Sequence, residues 1–144
     1  MNIYFDCDGT WINLYGVNNW LSDIINENPR PYYEAQPMLN LAVFARRLNF
    51  LQKKGHKIGI ITWLAKNSTP AYDKLVETAK LTWLQRHLPS VKWDEIHIVP
   101  YGTPKNLFIN NKNDILFDDE ENNRLHWTGI AYDEKHILEI LKQL

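Results

Sequence analysis

In the stretch IYFDCDGTW, residues 3–11, an apolar run leads directly into two aspartates that are separated by one residue. A short β-prone run that ends in polar residues and a glycine is typical of a buried strand and the turn after it. Buried carboxylates lower the stability of a fold unless a cation or a hydrogen-bond network holds them. The sequence around Asp6 and Asp8 therefore predicts a site to which other parts of the chain contribute.

The composition fits one globular domain spanning residues 1–144, since 44% of the residues are hydrophobic and 23% are charged. The formal net charge of -1 gives no overall indication of a nucleic-acid or anionic-membrane partner. The single cysteine, Cys7, allows no intramolecular disulfide, as expected in a reducing compartment. No apolar run approaches membrane-spanning length. We therefore expect a cytoplasmic protein without membrane contact.

Strand and helix patterns alternate along the chain. Strands are predicted at residues 2–6, 56–62, 95–99 and 114–118, with a possible fifth at 129–132. Helices are predicted at residues 18–28, 38–54, 70–87 and 133–144. This alternation predicts an α/β fold, a three-layer Rossmann-like parallel sheet of about five strands flanked by helices. In such sheets ligands bind beyond the carboxyl ends of the strands.

Polar side chains follow four of the predicted strands at the point where each strand ends. They are Asp6 and Asp8, Thr62, Lys105 in the loop YGTPKN, and Asp118 with Asp119. Several carboxylates in one crevice repel one another, so a divalent cation is implied, and oxygen ligands favour Mg²⁺. A lysine and a hydroxyl suit the oxygens of a phosphoryl group.

The ordered motifs DCDGT, IIT, a lysine and LFDD resemble those of the haloacid dehalogenase-like hydrolase superfamily, from Asp6 to Asp119. The resemblance implies that Asp6 is a nucleophile that forms an aspartyl-phosphate. It implies that Asp8 is the general acid and then the general base. Mg²⁺ would be held by Asp6, the backbone carbonyl of Asp8 and Asp118.

The same resemblance implies that Thr62 and Lys105 bind the phosphoryl oxygens. Gly9, Thr10 and Asp119 would support the site. Lys112 is an alternative to Lys105 as the phosphate-binding lysine. Cys7 is expected to point away from the aspartates, because side chains alternate along an extended chain.

Substrate selection in this superfamily depends largely on inserted caps, and here residues 16–37 form a minimal cap or entrance segment. We expect a loop with one short helix at most, and an active site that is open or covered by a partner subunit of a homo-oligomer. The LFDDEENN stretch is similar to the 5'(3')-deoxyribonucleotidase branch, in which an asparagine follows the acidic pair, here Asn122 or Asn123. The short cap departs from that branch.

Four aromatic residues in or beside the predicted entrance have two possible roles. They either stack on a base or sugar or pack the short segment onto the sheet, and they are Trp11, Tyr15, Trp20 and Trp63.

The leading hypothesis is a magnesium-dependent phosphomonoesterase that acts on a nucleotide or another small phosphate ester, with possible 5'-nucleotidase activity. One alternative is a nucleic-acid end phosphatase, for which a basic path would have to lead away from the site; its candidates are Arg46, Arg47, Lys53 and Lys54. The other alternative is a phosphate-ligand binding protein without turnover.

Overall fold

The computed structural model describes all 144 residues. The strands are β1 (Asn2–Phe5), β2 (Ile12–Asn13), β3 (Gln36–Pro37), β4 (Lys57–Trp63), β5 (Glu95–Val99), β6 (Ile115–Phe117) and β7 (Ile130–Tyr132). The α-helices are α1 (Trp20–Ile25), α2 (Arg30–Glu34), α3 (Leu41–Lys53), α4 (Pro70–His87), α5 (Glu121–His126) and α6 (Ile137–Gln143). None of these helices is both long and apolar enough to span a membrane.

Five of the strands form one parallel sheet in the order β5-β4-β1-β6-β7. The central strand is β1, in which Phe5 lies beside Ile60 of β4 and Phe117 of β6. The chain order reverses on the two sides of β1, so the crevice at its carboxyl end is the switch point of the sheet. The predicted α/β fold with a parallel sheet of about five strands is confirmed.

The two faces of the sheet follow the alternation of side chains along β1. Ile3, Phe5 and Cys7 lie in the larger core with residues of α3, α4 and α6. Tyr4 lies on the opposite face with Ile61, Leu116 and Trp127. Cys7 therefore packs in the core, as its position between the two aspartates predicts.

The two long helices begin and end where local chemistry favours it. Asn40 and Thr69 each accept a backbone N–H bond at the start of α3 and α4, and Pro70 occupies the first turn of α4. Gly55 follows α3 with a φ of +95°, the left-handed conformation expected of a glycine after a helix. Both helices agree closely with their predicted ranges.

Residues 16–37 contain more secondary structure than the one short helix that the sequence predicts. It contains α1, α2 and the strand β3, which pairs antiparallel with β2. Tyr32 of α2 packs against Tyr72 and Val76 of α4, and Arg30 forms ion pairs with Asp23 and Glu34. The expectation of a single helix was wrong here, because these contacts stabilise a second short helix that the sequence pattern alone does not indicate.

Candidate active site at the carboxyl edge of the sheet

Asp6 lies at the end of β1 and is held from two sides. Lys105 Nζ donates to Asp6 Oδ1 at 2.7 Å and to Asp118 Oδ2 at 2.7 Å. The Thr10 hydroxyl donates to Asp6 Oδ2 at 2.8 Å. All of these side chains are buried, so the Asp6 carboxylate is fixed in one orientation.

Three carboxylates form a cluster at this edge. Asp6, Asp118 and Asp119 each offer an oxygen, and these oxygens lie within 4.8 Å of one another. The cluster consists of hard oxygen donors and can hold a metal ion, which fits the ligand preference of Mg²⁺. Both members of the predicted acidic pair take part, whereas the Asp8 side chain lies outside the cluster.

Burial and neighbouring charges shift the pKa values of the three carboxyls in the cluster. Burial and the charge of Asp6 raise the pKa of Asp118 to about 6 and that of Asp119 to about 7. Burial opposes ionisation of Asp6 as well, but the charge and hydrogen bond of Lys105 and the Thr10 hydroxyl outweigh it and lower the pKa of Asp6. A bound cation would favour the ionised forms of Asp118 and Asp119.

Gly9 allows the turn after β1 to approach Asp119 closely. Its φ is +83°, and a Cβ at this position would lie 2.5 Å from Asp119 Oδ2. Thr10 completes the contact, since its hydroxyl accepts the Asp119 backbone N–H at 3.1 Å and lies 3.0 Å from Asp119 Oδ1. Gly9 and Thr10 thus join the first motif to the last, in the supporting position that the sequence predicts.

The structure places Lys105, and not Lys112, in the site. Lys105 begins a short 3-10 helix after β5 and is 4% exposed. Lys112 is exposed in a turn and contacts none of the acidic side chains. Asn123 of α5 donates to Asp118 Oδ2 at 3.1 Å, so Asn123 is the asparagine that follows the acidic pair in the site.

Asp8 has a cationic partner of its own that the sequence analysis missed. Lys80 Nζ of α4 donates to Asp8 Oδ2 at 2.7 Å and to Thr62 Oγ1 at 2.9 Å. Burial raises the pKa of Asp8, although Lys80 acts against this shift. The available signal was position: Lys80 falls on the apolar face of α4, between Val76 and Trp83, where a lysine is unusual.

A cavity of about 710 Å³ opens above these groups. Asp6, Asp8, Lys105 and Asp118 line its floor. Its walls contain two pairs of aromatic rings, Tyr15 with Trp20 and Trp63 with Tyr101, each with ring centroids 4.9 Å apart. Further apolar side chains come from α1, and Lys66 lies in the loop after β4.

Five of the predicted site residues do not line this cavity: the supporting residues Gly9, Thr10 and Asp119, and also Trp11 and Thr62. Trp11 is fully buried and packs against the rings of Phe44 and Trp83, so of the two roles considered for it the structure supports packing and not substrate contact. Thr62 is 2% exposed and accepts a hydrogen bond from Lys80, which places it behind the cavity floor. Tyr15, Trp20 and Trp63 do line the walls.

No protein-family model and no curated protein matches the chain. Among solved structures, the chain is similar to one in the Pnkp1/Rnl/Hen1 complex, with a TM-score of 0.55 and 12% sequence identity. The match covers 92% of this chain and 44% of that chain, so this chain spans less than half of the other's length. At this identity the likeness concerns the fold alone.

Proposed function

We propose that the protein is a magnesium-dependent phosphomonoesterase of the haloacid dehalogenase-like type, acting through an aspartyl-phosphate on Asp6. The observation that carries this proposal is the fixed Asp6 carboxylate, which Lys105 and Thr10 hold at the cavity floor beside two further carboxylates. A carboxylate with a lowered pKa is ionised at neutral pH and can attack phosphorus.

The chain's own residues account for both halves of the reaction. An oxygen of Asp6 forms a bond to phosphorus while the bond to the ester oxygen breaks, and Asp8 donates a proton to that departing oxygen. Asp8 then takes a proton from water, whose oxygen bonds to phosphorus as the bond to Asp6 breaks. Lys105 offsets the charge of the phosphoryl oxygens. Mg²⁺ held by Asp6, Asp118, Asp119 and the Asp8 carbonyl would neutralise further charge there.

The lining of the cavity supports a small substrate with a flat or apolar part. A volume of about 710 Å³ greatly exceeds what a phosphate group fills, and the aromatic walls suit a base or another planar group. The basic residues that line it are Lys66 and Lys105, whereas Arg46, Arg47, Lys53 and Lys54 of α3 do not. We therefore favour a nucleotide or similar small phosphate over a nucleic-acid end.

The proposal is tested by hydrolysis of p-nitrophenyl phosphate with Mg²⁺ and with EDTA. We expect turnover that EDTA abolishes and that Asp6→Asn lowers by at least about 10³-fold, because an amide is a poor nucleophile. Asp133→Asn removes a carboxylate that does not line the cavity and serves as the matched control. Undiminished activity in EDTA, or near wild-type activity of Asp6→Asn, contradicts the proposal.

A phosphoryl mimic tests the covalent step separately. Beryllofluoride should bind only with Mg²⁺, and a crystal structure should show it attached to Asp6 with Lys105 contacting a fluorine. The adduct should be missing from Asp6→Asn. Attachment in wild type without measurable hydrolysis of any phosphate ester would instead identify a phosphate-binding protein.

A further inference from the structure

Lys80 is a buried cation that the proposed reaction does not yet use. Its side chain is 6% exposed and does not line the cavity, yet its Nζ lies 2.7 Å from Asp8 Oδ2. A second contact, 2.9 Å long, joins it to Thr62 Oγ1 at the end of β4. Lys80 therefore reaches the cavity only through Asp8.

The position of the ammonium group is fixed by three elements. Lys80 itself belongs to α4, Thr62 belongs to β4, and the Tyr32 ring of α2 lies 5.2 Å from Nζ. An ammonium group only donates hydrogen bonds, so Asp8 and Thr62 are both acceptors here. Thr62 thus anchors Lys80, and Lys80 in turn holds one oxygen of Asp8.

We infer that Lys80 is a positioning residue, which orients the Asp8 carboxylate for proton transfer while Thr62 acts as its anchor. The inference rests on the proposed function. Lys80 donates to Oδ2 of Asp8, which leaves Oδ1 without that contact, and Asp8 lines the cavity in which the departing oxygen must receive its proton. Without Lys80 the carboxylate would rotate among several orientations, and proton transfer would occur from only some of them.

This role has a kinetic signature that a purely structural role lacks. An alkyl phosphate releases an alkoxide, which needs a proton as the bond to phosphorus breaks, whereas p-nitrophenolate leaves without one. For both esters kcat/KM includes the steps up to formation of the aspartyl-phosphate. Loss of orientation at Asp8 must therefore lower kcat/KM for the alkyl ester selectively.

The test compares Lys80→Met with wild type on glycerol phosphate and on p-nitrophenyl phosphate. We expect kcat/KM to fall by roughly 10- to 100-fold for the alkyl ester and by at most about threefold for the aryl ester. The loss for the alkyl ester is smaller than the full contribution of general acid catalysis, because Asp8 itself is still present. Asp8→Asn should show the same selectivity to a greater degree. Lys135→Met, which removes an exposed lysine, should match wild type on both esters.

A structural readout and a second variant complete the test. Crystals of Lys80→Met should show the Asp8 side chain in a different or a mixed orientation. Thr62→Val keeps the charge of Lys80 but removes its anchor, and we expect the same selectivity with a loss of about three- to tenfold on the alkyl ester. This variant tests the inference if Lys80→Met fails to fold.

Equal losses on both esters, or no loss, in the folded variants would overturn the role of Lys80 while leaving the proposed function intact. A wild-type protein that hydrolyses neither ester with Mg²⁺ would overturn the proposed function, and this inference with it.

Discussion

Asp6 and Asp8 are separated by one residue, and their pKa values are shifted in opposite directions. Lys105 and Thr10 outweigh the effect of burial at Asp6 and lower its pKa. At Asp8 burial prevails over the opposing charge of Lys80, and the pKa is raised. An ionised nucleophile and a carboxyl that can carry a proton are the two groups that the proposed reaction needs.

Gly9→Ala is expected to weaken metal binding beyond its effect on stability. The φ of +83° is unfavourable for alanine by about 1–2 kcal/mol, and the added Cβ would also displace Asp119. We expect a lower free energy of unfolding in denaturant and, by calorimetric titration, at least a tenfold weaker Mg²⁺ affinity.

The matched control for Gly9→Ala is Gly102→Ala. Gly102 has a φ of +87°, but no atom lies within 4 Å of an added Cβ. It should show a similar loss of stability with unchanged Mg²⁺ affinity. Equal affinities in the two variants would mean that the contact of Gly9 with Asp119 does not organise the metal site.

Most individual site residues were predictable because they follow strands directly. Asp6 and Asp118 come just after apolar strands, Lys105 lies in the loop that follows β5, and parallel strands bring such positions to one edge. Lys80 was not predictable in the same way, since it lies in the middle of a helix and reaches Asp8 only through the packing of α4 on the sheet.

At the scale of elements, the long helices, the sheet strands and the short helices α1 and α6 agree with predicted ranges, whereas the short helices α2 and α5 were not predicted. α1 has no buried residue and no side-chain cap, and α2 depends on Tyr32 packing against α4. A helix of five or six residues is not stable by itself, so tertiary contacts determine where it forms. The same reason explains why α5, which carries Asn123, was not predicted.

The apolar side of α1 is expected to act on substrate binding and not on folding. Leu21 is 53% exposed and Ile25 is 70% exposed, and both line the cavity. The double variant Leu21→Ser, Ile25→Ser should raise KM for p-nitrophenyl phosphate by roughly three- to tenfold, since each residue offers apolar contact to the ester. Its free energy of unfolding should stay within about 1 kcal/mol of wild type.

Leu125→Ser is the control for this variant, because Leu125 is 74% exposed on α5 and does not line the cavity. It should leave KM unchanged. An unchanged KM in the α1 double variant would mean that substrates do not contact this helix.

At the scale of the whole molecule, the acidic cluster links stability to pH and to metal. The raised pKa values of Asp118 and Asp119 mean that the folded protein keeps protons which the unfolded chain releases above about pH 4. Their stabilising contribution is complete below that pH and is lost as the pH rises through 6 and 7. Metal-free protein should therefore lose roughly 2–4 kcal/mol of stability from this source between about pH 5 and pH 7.5.

Thermal unfolding with EDTA at the two pH values measures this loss, and Mg²⁺ should raise Tm most at the higher pH. Burial lowers the pKa of His56 and His87, so these two histidines make the folded protein more stable as the pH rises through about 6, which opposes the effect of the carboxyls. Comparison with Asp119→Asn separates the contributions, since this variant keeps both histidines and should show a smaller loss. An identical pH dependence in the variant would exclude Asp119 as a source of the effect.

The short ladder between β2 and β3 has a consequence for how such a chain can diversify. Ile12 lies beside Pro37 and Asn13 beside Gln36, so the two ends of the intervening segment lie side by side. A longer insertion between them would start and finish at the same place, and the cost of closing a loop grows only by about 0.6 kcal/mol for each doubling of its length. The ladder therefore marks a place at which a longer segment could replace the one between β2 and β3 without moving the strands that carry Asp6 and Asp118.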